Sequence, residues 1–317
     1  MMQALSSAVA GLDGEQTAMN VIGNNIANVN TTGFKSSSVN FSTLLSQVLS
    51  SGSAPVTTAG KPTLGGTNPM AIGLGVGIGS ISQNMSQGSL QQTGNPLDIA
   101  IQGNGFLTLS GAQGTVYSRD GGLEIDSNGN LVQASTGSLV EGWQPTVTSN
   151  GTTPPSYSVG TYTAPTFPVA SSSTTNLPGP IVIPQTITTA STGTTQYNLA
   201  AVAIGTDGTI TGTYQSSTGT SQQVVLGQIA IATFPNQNGL VPVAGNAYTT
   251  GPNSGISSFT GAGTNGAGSL AVGALEQSNV NISSELTNMI VAERSYQVDA
   301  KVITTADTML QALINIQ

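Results

Sequence analysis

The side chains that could do chemistry are few. The chain has 317 residues, with 13 acidic and five basic side chains and neither His nor Cys. That removes the commonest general base, the thiol nucleophile and the usual transition-metal ligands. What remains is carboxylate chemistry. Asp120 with Glu124, or Asp98 with Asp126, could act as an acid and base pair of the kind that cleaves glycosides. The same residues also suit surface turns, where a carboxylate accepts from nearby backbone N–H groups. Asp126-Ser127-Asn128-Gly129-Asn130 opens like a calcium loop, but its twelfth position is Gly137 rather than Glu, so a turn is expected. The run GLGVGIG, Gly73 to Gly79, invites comparison with a dinucleotide loop. Its spacing fails, because Ile78, Ser80 and Ser82 stand where a further Gly would be needed. It reads instead as the start of a Gly-rich strand. No catalytic residue, cofactor or metal site is assigned, and the chain is not expected to be an enzyme.

Composition narrows the partners. Only 6% of residues are charged, against about 25% in ordinary soluble domains. The net charge is -8 and the pI about 4.1, which disfavours nucleic acid and anionic membrane. No apolar run reaches the length of about 18 residues needed to span a bilayer, so no membrane insertion is expected. Residues 1 to 25 lack the basic and apolar regions of a cleaved signal. Polarity comes from Gly, Ser, Thr, Asn and Gln, which suits an extracellular surface protein.

With so little chemistry to position, the two ends become the organising elements. Leu5, Val9, Leu12, Met19, Gly23 and Ile26, with Ile22 beside them, follow a 3-4 rhythm. Ile282, Leu286, Met289, Tyr296, Ala300, Ile303, Leu310 and Ile314 repeat it at the other end. Such spacing lines one seam of a helix. Two helices enclose too little core alone, so their seams need further partners. The expectation is a coiled-coil-like pair that completes its core with copies of itself. The subunit-packing residues would be Leu5, Leu12, Met19, Ile22, Ile26, Ile282, Leu286, Met289, Tyr296, Ile303, Leu310 and Ile314. The first helix is expected over about Gln3 to Asn28, with Gly33 as its stop, and Asn279 or Asn281 as N-cap of the second.

Between the ends the pattern is β. Strand candidates 97–101 and 106–109 flank Gly103-Asn104-Gly105, a hairpin signal. Leu123/Ile125 and Leu131/Val132 flank the Asp126 turn, and Asp207-Gly208 separates 199–204 from 209–214. Gln223 to Phe234 reads as one long strand. The expected fold is α+β: residues 1–35 plus 275–317 form a helical inner domain, and 73–145 plus 198–249 an antiparallel, mainly-β middle domain. Residues 36–72, with a short helical pattern at most, and 250–274 are expected as linkers. Residues 146–197 are expected as a small outer β outgrowth or an extended insertion, with little core of its own.

Particular motifs carry a resemblance. The run AVAGLDGEQTAMNVIGNNIANVNTTGFK, Ala8 to Lys35, is similar to the N-terminal signature of bacterial flagellar rod and hook proteins, with Asn24, Asn25, Asn28, Gly33, Phe34 and Lys35 in the motif. GNPLDIAIQGNGFL, YSRDGGLEIDSNGNLV, LGQIAIATFPNQNGL and the C-terminal stretch from GALEQSNVNISSELTNMIVAERSYQ onward resemble the same family. The resemblance implies an axial protein of the flagellum, exported without a cleaved signal by the flagellar type III apparatus. It also implies that the terminal helices line a tube around a channel. The hook is the expected segment, with the distal rod as the alternative. Expected partners are the chain itself, the distal rod, hook cap and hook–filament junction proteins, and the export apparatus. A secreted β-rich adhesin shares the composition but leaves the terminal seams unexplained and lacks a fixed repeat.

Overall fold

The computed structural model describes residues 2–58, 61–111, 114–144, 148–149, 156–158, 177–188, 196–217 and 219–315. Most of the expected outgrowth at 146–197 therefore lies outside the described residues. The contacts divide the chain into two compact units. The fold is α+β: a helix at each end and a mainly antiparallel β middle.

The first unit comprises Met1–Asn28, Ser36–Asn84 and Val280–Gln317. It holds helix α1, Met2–Ala27, and helix α2, Ile282–Ile314. Asn281 caps α2, its side-chain oxygen accepting from Ser284 N at 3.2 Å. Glu285 then places a carboxylate in the first turn, where the helix dipole favours it. Gly11 lies against Asp299, and Asn25 donates to Glu285 at 3.3 Å. As α1 ascends α2 descends, so the pair is antiparallel.

Residues 36–72 are not a linker with a helical start. Ser37–Thr43 pairs antiparallel with Val76–Gln83, Ser46–Ser50 with Met70–Gly73, and Val56–Thr58 with Lys61–Leu64. Val39, Phe41, Val48, Ile72 and Ile78 favour a pleated surface, and the Ser and Asn between them compete with helical hydrogen bonding. The ribbon lies against α1 at its base, where Phe41 covers Gly14; a Cβ there would sit 3.0 Å from the ring.

The second unit comprises Val29–Lys35 and Met85–Asn279. Its main sheet runs through Gln196–Ile204, Thr209–Ser216, Ser221–Ile229, Leu139–Trp143, Phe106–Gly111, Gly114–Ser118 and Ala247–Thr249. Thr209–Ser216 shows why it folds so. Ile210, Gly212, Tyr214 and Ser216 point inward at a period of two, and the residues between them are more exposed. The core gathers Ile99, Leu109, Leu123, Leu131, Ile210, Tyr214 and Ile229, all nearly inaccessible. A second cluster stacks Phe106, Tyr117, Phe234 and Tyr248 edge to face, Tyr117 and Phe234 at 4.8 Å between centroids. Burial pushes the Tyr248 hydroxyl up to about 12.

Two expected hairpins are present: Leu123–Ile125 with Leu131–Gln133, and Gln196–Ile204 with Thr209–Ser216. The hairpin at Gly103-Asn104-Gly105 is not. Ile99–Gln102 pairs with Ser269–Val272 instead, and Phe106–Gly111 with Gly114–Ser118 and Leu139–Trp143. Gly103 at φ 113° and Gly105 at φ 128° turn the chain out of register between them. The expected strand Gln223 to Phe234 divides into Ser221–Ile229 and Ile231–Thr233. Residues 250–274 are not simply a linker, since Ser258–Thr260 and Ser269–Val272 are paired strands.

The described part of 146–197 corrects the outgrowth reading. Ile181, Ile183 and Ile187 are fully buried in the main core. Their period-two spacing aims them inward despite the Pro and Thr around them.

Candidate functional site

With neither His nor Cys in the chain, the candidate site is a surface. It is built by α1, α2 and the ribbon of the first unit. The packed face of α1 is made of Ala8, Gly11, Gly14, Ala18 and Asn25. On α2 the buried positions are Ala292 and Ala306. These small residues let two helices approach closely. They are not the expected seam. Leu5, Leu12, Met19, Ile22, Ile26, Met289 and Ile303 are half-buried beside the contact. Ile282, Leu286, Tyr296, Leu310 and Ile314 are exposed, Ile314 at 72%. Small and large residues follow the same helical rhythm one position apart, so the sequence alone did not say which stripe faced inward.

The outward residues continue along the unit. Ile290, Val291, Val298, Met309 and Leu313 on α2 are exposed, as are Phe41, Leu45, Val48, Leu49, Met70 and Ile72 on the ribbon. A groove of about 340 Å³ runs between them, lined by Ala18, Ile22, Val39, Phe41, Val291 and Ala292. Exposed apolar side chains gathered on one unit are the usual mark of an interaction site. A two-stranded ribbon is also marginal in water without something packed on it. No helix among the described residues is long and apolar enough to cross a membrane.

The Asn-rich motif sits at the root of this surface. Asn25 is buried; it accepts from Ser37 N at 2.9 Å and donates to Ser37 O at 2.8 Å. It thereby fixes the start of the ribbon to α1 and, through Glu285, to the first turn of α2. Asn28 donates back to Asn24, to the backbone oxygen and the side-chain oxygen, both at 2.9 Å, and closes the helix end. Glu15 of α1 has its pKa raised by burial and by the nearby Asp299 carboxylate.

The rest of the motif lies in the second unit. Gly33 adopts φ 69°, and its amide donates to Glu276 O at 2.8 Å. A Cβ on Gly33 would meet Asp120 N at 2.7 Å, so the position demands glycine twice over. Phe34 is half-buried. Lys35 is buried, donating to Glu276 Oε1 at 2.6 Å and to Ser86 O at 2.8 Å. Arg119 lies on the other carboxylate oxygen at 3.4 Å and stacks over Phe106. Burial pulls the Lys35 ammonium below its usual pKa, and Glu276 pulls the other way. Sequence reasoning named Lys35 but missed Glu276 and Arg119, which give no local signal.

Of the four carboxylates that could do catalysis, three are tied down by hydrogen bonds in irregular segments, and Glu124 stands in the strand Leu123–Ile125. Asp126 accepts from Asn128 N, Asn130 N and Asn130 Nδ2, which also hold its pKa low. Asp98 accepts from Thr93 and Asn95. Asp120 accepts from Thr32, Gln133 and Ser135. Glu124 is exposed.

Comparison with known proteins fits this picture. Residues 5–35 match the family model described as flagella basal body rod protein. Residues 100–212 match the flagellar hook protein FlgE/F/G D1 domain, and 271–316 the flagellar basal body rod FlgEFG protein C-terminal model. The flagellar basal-body rod protein FlgG of Bacillus subtilis is 37% identical across all of this chain and all of its own. The flagellar hook protein FlgE of Treponema pallidum is 29% identical over 471 aligned positions spanning both chains. The hook protein FlgE of Borreliella burgdorferi is 43% identical over 45% of this chain and 31% of its own. By its termini, its middle domain and its full-length relatives, the chain belongs to the flagellar rod and hook family of axial structural proteins.

Proposed function

We propose that this chain is a structural subunit of the flagellar hook, polymerising into a hollow helical tube that transmits torque from rod to filament. The observation that carries the assembly reading is the outward-facing apolar surface of the first unit. Leu286, Ile290, Val298, Leu310 and Ile314 on α2, with Phe41 and Val48 on the ribbon, are large, exposed and without a cover in one chain. A head-to-tail contact that does not close on itself builds a filament, and a second copy of this chain is the cover we assign. The terminal residues named from sequence, from Leu5 to Ile314, are the proposed packing positions. The distal rod at one end, cap and junction proteins at the other, and the export apparatus are the proposed further partners.

The hook reading is supported by the stretch LEQSNVNISSELTNMIVAERSYQ and by the 43% identity to a hook protein in the segment that relative covers. The distal rod is the second reading, favoured by the full-length similarity to a rod-named relative. Immunogold labelling of isolated hook–basal bodies separates the two: label on the curved segment supports the hook, and label confined to the rod overturns it.

The assembly reading is tested by Leu286→Glu. Each fully buried large apolar side chain contributes roughly 1.5–3 kcal/mol, and a stranded charge costs several kcal/mol. The variant is expected to remain monomeric in sedimentation under conditions where the wild type forms tubes. Tubes of normal length and stability from Leu286→Glu would refute it.

A further inference from the structure

The second unit holds three buried charges that the assembly surface does not use. Lys35 and Glu276 have fully inaccessible side chains, and Arg119 is 1% exposed. Two cations thus share one carboxylate. Glu276 Oε1 accepts from Lys35 Nζ and from Gly88 N at 2.8 Å, and Oε2 faces Arg119. Arg119 also donates to Gly103 O at 2.8 Å. Ser86 O accepts from both Lys35 and Asn279. The chain leaves this unit after Lys35, returns at Met85 and leaves again after Asn279. The charges therefore gather where its boundary segments meet.

Removing one member of a buried ionic group is far more costly than replacing the group, because the remaining charge is left unpaired in low dielectric. Without Glu276, Lys35 and Arg119 would be two buried like charges, and desolvation and mutual repulsion would both oppose docking of Lys35. Glu276 lies 241 residues beyond Lys35. None of the three belongs to the apolar core, which is built from other residues.

We propose that Glu276 is the closing latch of the second unit: Val29–Lys35 is locked only when the C-terminal strand Ala274–Glu276 docks and brings the shared carboxylate. A chain whose last strand is absent or displaced keeps its N-terminal segment loose, although the β core has formed. Fixation of the N-terminal segment thus reports that the far end of the chain has arrived.

The test uses the full chain and trypsin. Lys35 is one of five basic residues, and Lys61 precedes Pro62, which blocks cleavage there. In the wild type the bond after Lys35 is protected by burial. Glu276→Gln keeps the side-chain shape and removes the charge. It is expected to accelerate cleavage after Lys35 at least tenfold while β circular dichroism is retained. The neutral bond from Asn246 to Thr32 at 2.8 Å remains, so the readout sits at Lys35 itself. Unchanged cleavage with the core intact overturns the latch. If Glu276→Gln loses its β signal, Lys35→Met decides, since it leaves the Arg119–Glu276 pair balanced. It should speed hydrogen exchange of the Gly33 amide at least tenfold, and unchanged protection there overturns the proposal.

Discussion

The two units solve opposite problems with similar residues. In the second, the large apolar side chains are inside, and among the described residues only Leu177, Val241, Val243 and Ile256 stand exposed. In the first, the buried apolar side chains among the described residues are those of alanines: Ala8, Ala18, Ala292 and Ala306. Its described Leu, Ile, Val and Met side chains are on the surface or half covered. A chain that met only water would not be selected for that arrangement. One unit buries its large apolar side chains within a single chain, and the other leaves its own outside, for the copies proposed above to cover.

The contrast can be broken most forcefully in the second unit. Ile183→Ala removes a fully buried side chain from the main core. A cost of about 2–5 kcal/mol is expected, read as a lower denaturant midpoint of the β signal. A cost near zero would show that residues 177–188 are a dispensable appendage. A smaller effect is expected from Asn25→Ala in the first unit. It leaves Ser37 N and O without their partner, at roughly 1–3 kcal/mol. The helical signal should melt earlier while the β signal holds. Equal loss of both signals would mean that the units do not fold separately.

The smallest effect is a pH dependence. The Glu15 carboxyl has its pKa raised above the ordinary 4.5 by burial and by Asp299. A folded state that holds its proton more tightly gains stability below the unfolded pKa. It loses that gain as pH rises through the folded pKa. The helix pair of the free subunit is therefore expected to melt higher in mild acid than at neutral pH. Glu15→Gln should flatten that difference and raise the neutral melting temperature. A wild-type helix signal equally stable at both pH values would contradict it.

How much of this could be read from the sequence depends on the range over which the signal acts. Local signals served well. The 3-4 rhythm located α1 and α2 within a residue or two, and Asp126-Ser127-Asn128-Gly129 and Asp207-Gly208 marked turns that the structure contains. The facing of the helices was not legible, because Ala8, Gly11 and Ala18 share the period of Leu5, Leu12 and Met19. Ile181 and Ile183 were hidden by the Pro and Thr around them. The partners of Ile99–Gln102 and of Lys35 lie far along the chain, where no spacing rule reaches. The motif Asn24 to Lys35 was conspicuous in sequence, but its division of labour was not. Asn25 anchors the ribbon in one unit, and Lys35 takes the shared carboxylate in the other.

The antiparallel helix pair has a practical consequence. Gly11 meets Asp299 and Asn25 meets Glu285, so a step along α1 is matched by an equal step back along α2. Continuing that register brings the first turn of α1 beside the last turns of α2. A donor dye on Gln3 and an acceptor on Met309 would therefore lie close together whenever the first unit is formed, though they are nearly the whole chain apart. Energy transfer between them becomes a ruler for that unit alone, usable in dilute subunit and in the proposed assembly alike. The same geometry warns that an affinity tag on either terminus would crowd one and the same end of the pair.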